Sequence, residues 1–459
     1  MTGPRSFSFT KDGGNQALSF SCNRDWSISS TESWIKISPS SGTTSDGDIT
    51  VTITCSPNTT YDQRSATITV IVEELMETIS VTQDTGLGLI VSQTTYNLSQ
   101  EEQTLEVDVQ SNVDYSVSID PTCKDWVSLE STKALSTGEL FFRVAANDAY
   151  DKREGAISIK QNNGELESTI HINQKARNIV FADKLVEELL VSFFDDDVDG
   201  GISMEEAKAV KELPGFLCTQ IESFDEMQFF TGISQIPGAA FLGCYQLKSV
   251  TLPETIIEIQ KNAFLGCSAL EHINLPSQLK IIGDGAFQSC ILLESVDLPD
   301  GLTDLGVTAF GNCQSIKTLK IPASLQNMAL GIFYNCTGLE SVIISDGIKI
   351  ISRGAFNECR KLSTVELPDS VTSIDQDAFF NCNLSTIIIP KNVGYIGPAA
   401  FAIPYAERIV VYGEDPAYLN GNPFTSTSCP IYVPVKCVEK YKTTDCWLQY
   451  AERILPMSE

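Results

Sequence analysis

Hydrophobic and polar residues alternate through the first 176 positions, with no helical period. Residues 46–55 (DGDITVTITC) and 64–72 (RSATITVIV) place Thr, Val, Ser and Ile on alternating positions, which predicts half-exposed strands of antiparallel sheets. Two weakly similar units are visible there. The first carries Trp26, Trp34, the turn Ser38–Gly42, Arg64 and Gln83, and the second carries Tyr115, Trp126, Arg153, Gly155 and Gln174. From residue 183 to 194 the pattern changes to apolar positions at 185, 186, 189, 190 and 193, the spacing of an amphipathic helix. Ser203 opens a second predicted helix that runs to about Leu213, with Pro214 beyond it.

The next pattern is a repeat. Cys244, Cys267, Cys290, Cys313, Cys336, Cys359 and Cys382 follow one another at a constant 23 residues, and a phenylalanine keeps the same step from Phe241 to Phe379. Proline shares the period at Pro253, Pro276, Pro299, Pro322 and Pro368, with Ser345 in the one gap, until the loss of one residue brings the next members to Pro390 and Phe401. Registers locked in step define a solenoid of about seven or eight coils. Each unit reads L-x-x-V-x-L-P-x-x-L-x-x-I-x-x-x-A-F-x-x-C. Val250 and Leu252 point inward from a short strand that proline ends, and Ile259 and Phe264 fill the coil interior. One coil cannot bury that face alone, so stacked neighbours and capped ends are required.

These landmarks carry two resemblances. The repeat over 236–412 resembles the BspA-like leucine-rich repeats of bacterial surface proteins. The two N-terminal units resemble the BACON domain, an immunoglobulin-like sandwich common in Bacteroides-type gut proteins. The second unit departs from the family in having Tyr115 where a tryptophan is usual and in lacking the Pro-Ser-Ser-Gly turn. The expected architecture is two all-β immunoglobulin-like sandwiches (1–86 and 87–176) and a helix-loop-helix cap (177–214). An α/β leucine-rich-repeat solenoid (215–412) and a C-terminal cap (413–459) follow. The spacing of Tyr432, Pro434, Tyr441, Trp447 and Tyr450 is similar to the caps of the same repeat proteins.

Composition removes several functions. Lys and Arg number 31 against 59 Asp and Glu, a net charge of −28, so phosphate backbones are repelled and nucleic acid is not expected as a partner. Two histidines in 459 residues leave little for a His-based triad or a multi-histidine zinc site. No apolar run reaches about 18 residues, so no membrane-spanning helix is predicted. The N-terminus has no apolar targeting segment, and the repeat content favours a signal, with a possible lipid anchor, removed from a precursor.

The sharpest chemical motif is Asp195-Asp-Asp-Val-Asp-Gly-Gly-Ile-Ser-Met-Glu-Glu206. A calcium loop of the EF-hand kind needs oxygen ligands at positions 1, 3, 5, 7, 9 and 12 and glycine at 6. Those positions fall on Asp195, Asp197, Asp199, the Gly201 carbonyl, Ser203 and Glu206, with Gly200 at the turn. Calcium is the expected cofactor, and a structural staple the expected role. A capping loop that binds no ion is the competing reading. The cysteine column reads as a packing ladder of free thiols, since no C-x₂-C pair suggests a metal site. Cys22 with Cys55 and Cys437 with Cys446 are candidate bridges.

No nucleophile elbow, P-loop or zinc-protease motif is present, and catalysis is not expected. The solenoid's outward strand positions form two columns. Ser249, His272, Ser295, Thr318, Ser341, Thr364 and Thr386 make the first; Thr251, Asn274, Asp297, Lys320, Ile343, Glu366 and Ile388 make the second. The second column is the candidate ligand face, with Ile343 and Ile388 as its apolar anchors. Trp34 and Trp126 are candidate sugar-stacking residues, although a place in the sandwich core is the more expected one for a tryptophan within an alternating strand. Non-catalytic recognition or adhesion at the cell surface is the expected function, by a monomer, and the resemblance implies a host or environmental protein or glycan as ligand. Glycan capture by the sandwiches for a polysaccharide-uptake system is the alternative, and structural spacing a third reading.

Overall fold

The computed structural model describes residues 4–44, 47–132, 138–217, 219–325 and 327–457, in two compact units that meet at Arg177 and Asn178. In the first unit the alternating segments form two sandwiches. One sheet of the first sandwich is built on the hairpin Arg64–Val72/Leu75–Gln83, and it faces a three-stranded sheet centred on Asp48–Cys55. The second sandwich repeats the plan with Arg153–Gln161/Glu167–Gln174 against Gln103–Ser111/Glu139–Val144. The inward residues of each alternation make its core: Leu18, Val51, Ile53, Ile68 and Val81 in one, Val107, Phe142, Ile157 and Ile172 in the other. Asn112 joins the two, donating to Tyr61 O, Thr85 Oγ1 and Gly86 O and accepting from Gly88 N–H.

The second unit opens with α1 (Lys184–Phe194), capped by Asp183, and α2 (Met204–Ala209), capped by Ser203. The second helix stops short of Leu213. The chain leaves helical geometry at Val210, which lets both Val210 and Leu213 bury against the first coil, and Pro214 disfavours helix in the residue before it.

Ten phenylalanines then form one stack: Phe216, Phe241, Phe264, Phe287, Phe310, Phe333, Phe356, Phe379, Phe401 and Phe424. Successive centroids lie 4.9 to 6.2 Å apart and planes differ by 3 to 17°. The solenoid has about ten turns, more than the repeat motif alone marks, because Phe216 and Phe424 continue the stack where the surrounding consensus has decayed. The boundary expected at 412 is correspondingly not a break: Arg408–Val411, Ile431–Val433 and Ile454–Pro456 pair in one parallel sheet.

The helical component expected of each repeat is a run of turns. Each of the seven cysteine-bearing coils visits left-handed backbone twice, two residues before its phenylalanine and one before its cysteine, as at Asn262 (φ 58°) and Gly266 (φ 77°), or Thr308 (φ 50°) and Asn312 (φ 62°). A helix cannot propagate through such positions.

Every ladder cysteine is buried, and its Sγ donates to the carbonyl of the phenylalanine in the preceding coil. The distances run from 3.0 Å (Cys244 to Phe216 O) to 3.2 Å (Cys382 to Phe356 O). The proposed bridges do not form: Cys22, Cys55, Cys437 and Cys446 are thiols, with Cys22 donating to Arg24 O and Cys446 to Ala417 O. Cys218 lies outside the described residues. Aromatic residues close both ends of the stack, Phe181 and Phe224 at the start and Trp447 and Tyr450 at the finish. Along the last strand Ile454 N–H donates to Ala451 O and Pro456 has no N–H, so neither donates to a further strand.

Candidate functional site

The acidic loop is shaped by its own backbone. Asp195 Oδ1 accepts from Asp199 N–H at 3.1 Å and Oδ2 from Gly200 N–H at 2.9 Å, while Gly200 takes the left-handed turn at φ 89°. Asp199 Oδ1 accepts from Gly201 N–H and from the Asn178 amide, at 3.1 and 2.9 Å. Carboxylate oxygens of Asp195, Asp197 and Asp199 all lie within 4.8 Å of one another. Hard oxygens gathered this closely suit calcium or magnesium. Ile202 is buried, and its carbonyl accepts from Ile179 N–H at 2.7 Å, tying the loop to the segment before α1.

Glu206 stands apart from the trio. Its Oε1 accepts from Asp196 N–H at 2.8 Å, and its Oε2 accepts from Ser203 N–H (2.8 Å) and the Ser203 hydroxyl (2.9 Å), completing the capping box of α2. The structure thus brings three of the six expected ligands together and gives Ser203 and Glu206 to each other.

The outward strand positions pair in three separate ladders, Ser249 with His272, Lys320 with Ile343 and Glu366, and Ile388 with Val410, while Thr251, Asn274 and Asp297 lie outside the strands. Ser249 and Thr251 hydroxyls donate to the Asp225 carboxylate at 2.7 and 2.9 Å, and Asn274 pairs with both backbone groups of Leu252. Those early coils spend their outward polar groups on the solenoid itself. Asp297 and Glu366 are exposed, and Lys320 faces Asp300 at 3.8 Å. Ile343 and Ile388 are 48% and 45% exposed. Beyond Ile388 the register continues through Val410, Tyr432 and Leu455, an unbroken apolar column. The 23-residue count stopped at the last motif and missed these three, although each lies one coil after its predecessor.

The tryptophans are differently placed. Trp26 is buried edge-on to Phe20 at 5.2 Å. Arg64 covers the ring of Trp34 at 4.4 Å, and Arg153 covers Trp126 at 4.3 Å. Both arginines are fixed: Arg64 donates to Gln83 Oε1 and to the carbonyls of Ser56 and Pro57, and Arg153 to Gln174 Oε1 and the carbonyls of Ala145 and Ala146. Trp34 and Trp126 therefore present no open platform on that face, because the guanidinium covers it. The landmarks shared by the two units, Trp, Arg and Gln, are one structural device used twice.

These elements define a class: tandem β-sandwiches followed by a leucine-rich-repeat solenoid. The BspA-type leucine-rich-repeat model matches residues 212–340 and 329–429 in six copies, and the BACON model, whose description gives binding as its proposed role, matches 24–84 and 116–175. The chain thus carries a BspA-type leucine-rich-repeat region over 212–429 and two BACON-type regions before it. A comparison with curated proteins finds no match. Among solved structures, a leucine-rich-repeat protein of Bacteroides ovatus is 27% identical over 44% of this chain and 59% of its own, with a TM-score of 0.38. A leucine-rich cell-surface protein of Faecalibacterium prausnitzii is 28% identical over 45% of this chain and 60% of its own (TM-score 0.31). A leucine-rich-repeat protein of T. pallidum is 33% identical over 29% and 62% (TM-score 0.29). The chain thus spans less than two thirds of each of these relatives. Among the described residues no helix is long and apolar enough to cross a membrane.

Proposed function

We propose that this protein is a non-catalytic binding protein acting outside the cytoplasm, and that the C-terminal part of its strand face recognises a protein or glycoprotein. The observation that carries the reading is the apolar column Ile388–Val410–Tyr432–Leu455, lying in register on one sheet and half open to solvent. Exposed apolar groups aligned on a rigid sheet supply the desolvated centre that a protein interface needs. The test is binding of the full chain to immobilised fibronectin, fibrinogen and collagen. Ile388→Asp should weaken any interaction at least about tenfold, and Asp297→Ala should leave it unchanged. Equal binding by Ile388→Asp and the parent chain would reject this face.

The loop at 195–206 is proposed to hold one calcium ion through Asp195, Asp197, Asp199 and the Gly201 carbonyl, stapling α1 and α2 at the head of the solenoid. Convergence of the three aspartates supports this. Glu206 is committed to loop N–H groups, so the aspartates carry the proposal. An ion bound here would stabilise the helical segment without taking part in recognition. Calorimetric titration with calcium decides it: Asp197→Asn should remove the heat seen with the parent chain.

A further inference from the structure

Each coil has a second short strand, and these strands form their own parallel ladder on a different side of the solenoid, through Ile350–Ile351, Ser373–Ile374, Tyr395–Ile396 and Tyr418–Leu419. Their inward residues, Ile351, Ile374, Ile396 and Leu419, are buried, which leaves the alternate residues outward. Through the earlier coils those outward residues are unremarkable: Glu258, Ile281, Asp304, Ile350 and Ser373. At the last two rungs they become Tyr395 and Tyr418, directly opposite each other in the ladder. The ring centroids are 6.2 Å apart with planes 28° from parallel, and Tyr418 is 61% exposed. Beside them Asn420 donates its side-chain amide to the Tyr395 hydroxyl at 3.1 Å.

Sheet stability alone does not account for this arrangement. Coils with Ile, Asp or Ser at the same position pair in the same register without aromatic help. Two large rings one coil apart, Tyr418 exposed and Tyr395 half-buried, with an amide held at their edge, combine two kinds of surface. The rings offer broad apolar contact, and the amide and phenolic hydroxyls offer directional hydrogen bonds. A pyranose ring is complementary to both, since it presents C–H groups on one face and hydroxyls around its rim. Adjacent rings spaced by one coil suit consecutive units of an extended glycan. The charge of −28 disfavours uronic-acid or sulfated chains, so the class is a neutral oligosaccharide.

We infer that Tyr395, Tyr418 and Asn420 form a binding site for a neutral oligosaccharide on the solenoid, separate from the strand face proposed above. The test is calorimetric titration of the full chain with cello-, xylo-, manno- and laminari-hexaose, and with an oligogalacturonate of equal length. At least one neutral hexaose should bind. Tyr418→Ala and Asn420→Ala should each weaken it by about tenfold or more, and Tyr418→Phe by no more than about threefold. Melting curves of the Tyr418 and Asn420 variants should match the parent, because those two side chains are exposed. If Tyr418→Ala fails to fold, Asn420→Ala and Tyr418→Phe decide alone. The inference is overturned if no neutral hexaose binds at millimolar concentration, if binding survives the Tyr395→Ala/Tyr418→Ala pair, or if the acidic oligomer binds equally well. It is likewise overturned if that pair abolishes matrix-protein binding while leaving hexaose binding intact.

Discussion

Raising the pH should unfold the solenoid before it disturbs the sandwiches, and the cysteine ladder sets the size of the effect. Burial lifts the thiols of Cys267, Cys290, Cys313, Cys336, Cys359 and Cys382 above their ordinary value of 9.0, because a thiolate there would lose its water. Each would also face a phenylalanine carbonyl oxygen, which is an acceptor. The folded chain therefore keeps these protons where the unfolded chain releases them. Their contribution is intact below pH 9 and is lost as pH rises from there towards the folded values. At one unit above 9.0 each thiol withdraws about 1.4 kcal/mol, and the six together about 8 kcal/mol. That is comparable with the whole stability of about 5–15 kcal/mol typical of folded proteins. The first sandwich has one such group, Cys55, pushed up to about 11, and the second has Cys123. Urea unfolding at pH 8, 9 and 10 under reducing conditions measures the slope. A Cys290→Ala/Cys313→Ala/Cys336→Ala chain should show about half of the thiol-dependent part, while lysine and tyrosine titration affects both chains alike. An unchanged slope would refute the reasoning, as would alkylation of the ladder thiols in the folded protein at the rate of exposed ones.

Three further outcomes follow from the packing. Phe310→Ala opens a gap between Phe287 and Phe333 and should cost about 3–5 kcal/mol, with hydrogen exchange accelerating first in the coils on either side of the gap. Arg153→Ala uncovers Trp126 and removes the bonds to Gln174 Oε1 and the Ala146 carbonyl, while Ala145 O keeps the Gln174 amide, so the second sandwich should lose about 3 kcal/mol in thermal unfolding while solenoid-mediated binding stays constant. Chelator should lower the stability of the helical segment of the parent chain and leave Asp195→Ala unaffected; if both respond equally, the loop holds no ion.

The inward half of this fold was legible because it is periodic. A phenylalanine and a cysteine recurring together every 23 residues can stack only if the coils stack, and both ladders run where that spacing placed them. What the repeat did not convey is the backbone between them. Left-handed positions fall on Ala239, Asn262, Gly285, Thr308 and Gly331 in successive coils, residue types too mixed to announce a turn, so a helix was the natural expectation. The acidic loop's spacing is plain in the sequence, but Ser203 and Glu206 also spell a capping box, and the sequence alone does not say whether Glu206 turns to an ion or to the N–H groups it accepts from here. The tryptophans were ambiguous for a similar reason. Arg64 and Arg153 lie some 30 residues away in sequence from the rings they cover, and alternation alone does not say which cation lies over which ring.

The distribution of outward residues also bears on where recognition can sit. In a one-dimensional stack the inward positions answer to both neighbours, so they hold the same residue from coil to coil and cannot encode a ligand. Outward positions are unconstrained, and here they diverge along the axis. The first coils direct their hydroxyls and amides onto Asp225 and the Leu252 backbone, which leaves little polar capacity for a partner. The last coils do the opposite: Ile388, Val410, Tyr432 and Leu455 gather on one sheet, and Tyr395 and Tyr418 on another. Both departures lie in the stretch where Phe401, Phe424 and Trp447 hold the stack in place of the strict consensus. The outer surface has thus changed character while the buried ladder beneath it remains aromatic, and two binding faces on separate sheets of the same coils can be altered independently. Substitutions at Ile388 and at Tyr418 should therefore act additively, each removing one interaction and leaving the other.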